Sequence, residues 1–353
     1  MRTVFWDYDK GELMLIDQRR LPVELRLVNL RSHRKVVQAI RNMTVRGAPA
    51  IGAAAAFGLV LAAYGSRARS EDMLIQVIEA AAEELRLSRP TAVNLAWALD
   101  RVLDLVHSHP GSLDDLKRAV LAEAQKIADE DVEINMRMAV HGAVLIDDGD
   151  TIIHHCNTGA LAVVEWGTAL GVIRMAYQQG KQVHVLVDET RPTLQGARFT
   201  AWELEQYGIP YEIITDNMAG FFLRSGTVHK VFFGADRVAA NGDVANKIGT
   251  YMLALAAQDN GVPVYSVAPT SSIDLSLTHG GLIPIEERDP AEVLGIKFDG
   301  RRIAPLKARA RNPAFDVTPA RLLTAIVTEN GIVYPPFEEN LLKYRSPQVH
   351  PSR

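Results

Sequence analysis

The stretch TIIHHCNTGA at residues 151–160 decides how the rest of the chain is read. An apolar run of strand length ends at the protein's single cysteine, Cys156, and gives way to the polar, glycine-containing turn Asn157-Thr158-Gly159. Downstream, VHVLVD, YEIITD, HKVFFG and VPVYSV repeat the apolar pattern, with helix-length segments between them. That alternation is the sequence form of right-handed βαβ units and predicts a parallel, Rossmann-like sheet. Ligands of open α/β sheets bind in the crevice outside the C-terminal ends of the strands. Cys156 is the first residue to stand there.

Upstream the pattern changes. Residues 3–28 alternate apolar and polar around DKG and RRLP, as a small β-hairpin region does. Segments near 32–43, 49–64, 71–86 and 91–107 carry apolar residues at helical spacing. From Ala48 to Ser66 there is no charged side chain, but the run is mostly alanine and glycine, which predicts a helix buried by close neighbours rather than a membrane span. Ser112 is a candidate N-cap, with Asp114 and Asp115 in the first turn of a long helix reaching toward Val144. The expected class is therefore α/β in three parts. A mostly helical N-terminal domain with a short β element covers 1–115, a connecting helix 116–145, and a Rossmann-like parallel-sheet domain 146–353. Within NPAFDVTPARLLTAIVTENGIVYPP one helix is expected, capped by Thr318 with Pro319 at its first position, and 338–353 reads as a partly frayed end.

Composition narrows the functional classes. A chain of 353 residues with 48% hydrophobic and 23% charged residues has enough apolar material for two domains. A net charge of −4 gives no electrostatic footprint for nucleic acid or an anionic membrane. One cysteine excludes an internal disulfide and a multi-cysteine zinc site. No apolar run follows the early arginine, so no signal peptide is read and the cytoplasm is the expected location.

Two residues stand out for chemistry. Cys156 is either a core thiol or a nucleophile or base at the strand end. Asp236, in the turn GADR after the apolar strand HKVFFG, is either an Asx-turn residue paired with Arg237 or a carboxylate desolvated enough to act as a general acid. The first and fourth strands of such a sheet lie side by side at its switch point, which would bring the two together. His154 and His155 alternate on one strand, so they point to opposite faces and do not chelate jointly. No spacing suggests a metal site. RGAPAIG places Arg46, Gly47 and Ala48 at a helix start, where free N–H groups attract anions. Arg89 in SRPT, Gln195 in QGAR, and Asn246 with Lys247 in NGDVANKIG add polar groups at similar turns. Together these suggest a phosphorylated small molecule. Neither a GxGxxG fingerprint nor a Walker A loop is present.

RGAPAIG, SRPTAVNLAWAL, HHCNTGALA, DETRPTLQGARFTAWEL, GADRVAANGDVANKIGTY and NPAFDVTP resemble, in order and spacing, the methylthioribose-1-phosphate isomerases of methionine salvage. That family shares its fold with the regulatory subunits of translation initiation factor 2B. The resemblance implies aldose-to-ketose isomerisation of 5-methylthioribose 1-phosphate in a homodimer, and no metal or cofactor is expected because neither ring opening nor isomerisation needs an electron sink or Lewis acid. It implies Cys156 as the catalytic cysteine, Asp236 as the proton donor, and Arg46, Gly47, Ala48, Arg89, Gln195, Asn246 and Lys247 as substrate contacts. One departure follows the cysteine: relatives carry a run of small residues where this chain has Val163, Val164, Glu165 and Trp166.

Overall fold

The computed structural model describes residues 1–89, 92–109 and 111–344. Its contacts divide the chain into two units, Met1–Ile134 with Gly159–Gly167, and Asn135–Thr158 with Thr168–Arg353.

In the first unit, β1 (Val4–Asp7), β2 (Glu12–Ile16) and β3 (Leu27–Leu30) form an antiparallel sheet in that order. Four helices follow: α1 (His33–Arg41), α2 (Ala48–Gly65), α3 (Glu71–Arg86) and α4 (Val93–Ser108). Their bounds agree with the periodicity, although the expected start of the fourth, at Thr91, lies outside the described residues. Helix α2 is long and apolar enough to cross a membrane, yet 78% of that window is buried inside this chain. Its alanine-rich surface packs on α1, α3 and α4, as small side chains allow, and Trp6 stacks on Phe57 at 5.8 Å.

The division between the units falls within α5 (Leu113–Ala143). Ser112 caps this helix as expected: its hydroxyl accepts from Asp115 N–H at 3.3 Å, while the Asp115 carboxylate accepts from Ser112 N–H at 3.2 Å. Such reciprocal capping satisfies two backbone donors that a helix start otherwise leaves open.

The second unit contains β4 (Asp150–His154), α6 (Ala169–Gln178), β5 (Val183–Asp188), α7 (Ala201–Tyr207), β6 (Tyr211–Ile214), α8 (Ala219–Arg224) and β7 (Lys230–Gly234). After these come β8 (Arg237–Ala239), β9 (Val244–Lys247), α9 (Thr250–Asp259), β10 (Val264–Val267), β11 (Ile273–Asp274), β12 (Lys297–Phe298), β13 (Arg301–Arg302), β14 (Phe315–Thr318), β15 (Ala325–Thr328) and β16 (Gly331–Val333). The main sheet runs β16-β15-β10-β7-β4-β5-β6, parallel except for β16. Strand order reverses between β4 and β7, which is the switch point. Every residue of β7 is buried, and Lys230 at its start bonds Asp147 and Asp150, each at 2.6 Å, fixing β7 against the start of β4.

The tail differs from its reading. Thr318 does not cap a helix but ends β14, Ala320–Leu322 make a single tight turn, and Ala325–Thr328 form a fully buried strand beside β10. A short apolar run has the same composition in a buried helix and a buried strand, and here sheet pairing decides. Of the expected frayed end, Leu341 is buried, while residues 345–353 lie outside the described residues.

Candidate functional site

In the second unit Cys156, Gln195 and Asp236 follow the C-terminal ends of β4, β5 and β7, while Asn246 and Lys247 are the last two residues of β9 in the smaller sheet β11-β8-β9-β14. His154 pairs with Phe232 across β4 and β7, so Cys156 and Asp236 follow the ends of neighbouring strands. The sheet delivers the expected juxtaposition of those two strand ends.

Cys156 is 8% exposed and has φ +69°, a left-handed conformation that costs a non-glycine residue about 1–2 kcal/mol. Tertiary contacts impose it. Cys156 N–H donates to Thr190 Oγ1 at 2.9 Å, and its carbonyl accepts from Thr200 Oγ1 at 2.7 Å. Asn157 Nδ2 donates to Thr200 Oγ1 at 3.2 Å and to the buried Glu203 at 2.9 Å. The strand therefore stops at the cysteine because β5 and the segment entering α7 hold its backbone in a turn.

His155 and Asp188, each 1% exposed at the side chain, are joined by Nδ1···Oδ2 at 2.8 Å. Burial pushes Asp188 up to about 6, against the pull of the His155 bond. His154, facing the other way, is fully buried near Thr158 Oγ1 at 3.3 Å, and burial with the neighbouring His155 charge drops its pKa to about 3. Asp216 lies close enough to His155 and Asp188 for a three-ligand metal site. Its carboxylate, however, already accepts from Thr190 N–H and Arg191 N–H, both at 2.7 Å, and both His155 nitrogens are engaged. That donor set does not fit a resident cation.

Gln195 precedes the π-helical turn Gly196–Thr200 and is 8% exposed. Its Oε1 has no hydrogen-bond partner among the described residues, a buried acceptor open to a hydroxyl or amide donor. Gly196 is obligatory: a Cβ there would stand 1.7 Å from the Asp188 carbonyl oxygen. Asn246 is buried and donates to Thr250 Oγ1 at 2.9 Å. Lys247 lies with Nζ 5.1 Å from the Phe315 ring centroid, a cation–π contact, and its charge also helps hold the Glu292 carboxyl below its usual range, against burial.

Asp236 corrects one expectation. It is exposed, and its N–H donates to the Ala245 carbonyl at 2.9 Å across the β8–β9 hairpin. The chain leaves the buried sheet at Gly234, so the apolar strand does not seclude the carboxylate that follows it.

The remaining candidates belong to the first unit. Gly47 is the N-cap of α2, with φ +89° and ψ 133°, a region open only to glycine, and Ala48 opens the helix with Pro49 behind it. Arg46 immediately precedes that cap, and Arg89 follows α3, its carbonyl accepting from Ala92 N–H at 3.0 Å. Glu165, in the segment that departs from the expected small residues, pairs with the N-terminal amine at 2.9 Å. Sequence reasoning missed Asp188, Thr190 and Asp216. Asp188 had a signal, since it is the polar residue that closes an apolar strand, much as Cys156 follows the apolar run of β4.

Comparison places this α/β scaffold, with its strand-end site at a switch point, in a known class. Residues 44–335 match the model of the initiation factor 2 subunit family, and the chain belongs to that family. A protein of Thermosipho africanus named methylthioribose-1-phosphate isomerase is 51% identical over 343 residues, 97% of this chain and 98% of the relative. The crystal structure of 5-methylthioribose 1-phosphate isomerase from Pyrococcus horikoshii matches at TM-score 0.92 and 49% identity, covering 97% of this chain and 95% of that one. A structure described as translation initiation factor eIF-2B subunit delta from A. fulgidus matches at TM-score 0.90 and 43% identity, with 97% and 98% coverage. Within the family the chain stands with the methylthioribose-1-phosphate isomerases, and it is an isomerase.

Proposed function

We propose that the protein converts 5-methylthioribose 1-phosphate to 5-methylthioribulose 1-phosphate, with Cys156 and Asp236 as its acid–base pair. The observation that carries the chemistry is the pinning of Cys156 in a left-handed turn at the sheet's switch point, next to the strand that leads to Asp236. The substrate comes from the names of the full-length relatives.

Phosphate on the anomeric oxygen prevents spontaneous ring opening, so the enzyme has to assist it. In this reading Asp236 donates a proton to the ring oxygen as the C1–O bond breaks, and Cys156 removes the C2 proton to give an enediol that is reprotonated at C1. A direct hydride shift from C2 to C1 is the other route, and retention of a C2 deuterium in the product would identify it. Asp236 is exposed in this chain, so the substrate itself has to supply its desolvation. Arg46, Arg89 and Lys247, the N–H groups at the start of α2, and the uncharged Gln195 and Asn246 are assigned to holding the sugar phosphate. By family resemblance we read the protein as a cytoplasmic homodimer working in methionine salvage without metal or cofactor.

Turnover of purified protein on 5-methylthioribose 1-phosphate, ribose 1,5-bisphosphate and 5-deoxyribose 1-phosphate tests the assignment. Fastest ketose formation from the methylthio sugar supports it, and preference for another sugar moves the substrate. A second reading, a non-catalytic subunit of a translation-factor assembly, has the A. fulgidus neighbour in its favour and requires that none of the three reacts.

A further inference from the structure

Among the buried ionisable groups that this chemistry leaves unused, His155 and Asp188 stand directly beside Cys156. His155 Nδ1 is 2.8 Å from Asp188 Oδ2, and its Nε2 is 3.0 Å from the Ile248 carbonyl oxygen. A carboxylate and a carbonyl both accept, so both ring nitrogens have to donate, and only the imidazolium does that. We propose that His155 is a positioning residue for the isomerisation: as a doubly donating imidazolium it clamps the ends of β4 and β5 to the Ile248–Gly249 turn, and so holds Cys156 and Lys247 in fixed register.

The surrounding contacts carry the clamp to both residues. Asp188, gripped by His155, gives its backbone carbonyl to the Thr190 hydroxyl at 2.9 Å, and Thr190 Oγ1 in turn accepts the Cys156 N–H at 2.9 Å. On the other side, Gly249 lies against the ring, where an added Cβ would come 2.9 Å from His155 Cε1. The N–H groups of Gly249 and Tyr251 donate to Asp316 at 2.8 and 3.1 Å, so the turn following Lys247 is held from two directions.

The charged groups facing the ring agree on its protonation. Asp188 from β5 and Asp216 from beyond β6 raise its pKa against the opposing effect of burial, and the charge on His155 in turn acts on Asp316 of β14. His154, its neighbour on β4, stays neutral. A neutral His155 would have one donor for two acceptors and would release either Asp188 or the Ile248 turn. A ring that only filled space would be indifferent to the loss.

The inference rests on reading Cys156 and Lys247 as parts of the working site, so the test includes readouts that do not depend on substrate. The 15N spectrum of the ring at pH 7.5 should show both nitrogens protonated, and a neutral tautomer overturns the proposal. His155→Gln should change the rate of Cys156 alkylation by iodoacetamide about tenfold or more at unchanged circular dichroism, and a rate within twofold of wild type overturns it. Where wild type turns over the sugar phosphate, His155→Gln should lower kcat/KM by about tenfold or more, and adding Asp188→Asn should make it little worse, as for groups acting as one unit. Additive losses contradict the clamp. Should His155→Gln fail to fold, Thr190 carries the test through the same alkylation rate. Thr190→Ser should behave as wild type and Thr190→Val should depart from it, and equal behaviour of the two overturns the proposal. Failure of all three sugars to react would sink the proposed function while leaving the spectrum and the alkylation rates to judge His155.

Discussion

Protonating His154 should be a steep acid liability for the second unit. The ring is fully buried, and its pKa falls from 6.5 to about 3 because burial, then the adjacent His155 charge, disfavours the cation. A depressed pKa contributes stability that is complete above 6.5 and is lost as pH falls toward 3. At about 1.4 kcal/mol per pH unit, the loss is about 2 kcal/mol at pH 5 and roughly 5 kcal/mol once the folded ring is titrated. Asp188 works in the opposite sense, since its carboxyl is pushed up to about 6 and the folded state gains from its protonation as pH falls below that value. A comparison of wild type with His154→Gln removes this offset, because Asp188 is common to both. The variant should lose stability at pH 7.5, where a well-packed side chain is replaced, and recover about 2 kcal/mol relative to wild type on going to pH 5. In a domain of this size that is about 4–8 °C in the difference between the two melting temperatures. Calorimetric scans at pH 7.5, 6.0 and 5.0 measure it. Parallel pH profiles for the two proteins would refute the buried, neutral His154.

Gly196→Ala should disrupt the site out of proportion to its size. The new methyl would sit 1.7 Å from the Asp188 carbonyl, so the backbone of the strand end or of the π-helical turn has to move. A loss of about 2 kcal/mol or more in urea denaturation is expected, together with loss of turnover, and a variant of wild-type stability would contradict the close approach. Lys247→Met should raise KM by about tenfold while the melting temperature stays within a few degrees, since its ammonium meets the Phe315 face and attracts the Glu292 carboxylate without a close ion pair. An unchanged KM would remove Lys247 from the substrate site.

The fold was legible where the apolar pattern was long or strictly bounded. The β4, β5 and β7 strands each announce themselves by an apolar run closing on a polar residue or, in β7, on Gly234, and α1 to α5 by helical spacing with caps such as Ser112. The β15 strand was not legible, because Ala325–Thr328 is too short for its period to separate strand from helix and the preceding Thr-Pro pair imitates a helix start. Its identity comes from pairing with β10, far away in sequence.

At the site, the position of Cys156 could be read from the end of its strand. Its left-handed backbone could not, because Thr190 and Thr200, which impose it, come from the loop after β5 and the π-helical turn before α7. The exposure of Asp236 was hidden for a related reason. An apolar strand suggests a buried exit, whereas the chain turns outward at Gly234 into a hairpin whose pairing no local pattern specifies.

The most direct measurement is kcat on saturating 5-methylthioribose 1-phosphate for wild type, Cys156→Ser and Asp236→Asn, each checked for native folding. An acid–base pair predicts turnover by wild type and a loss of about 10²-fold or more in each variant. Near-native kcat in either variant would remove that residue from the chemistry, and near-native kcat in both would contradict the account.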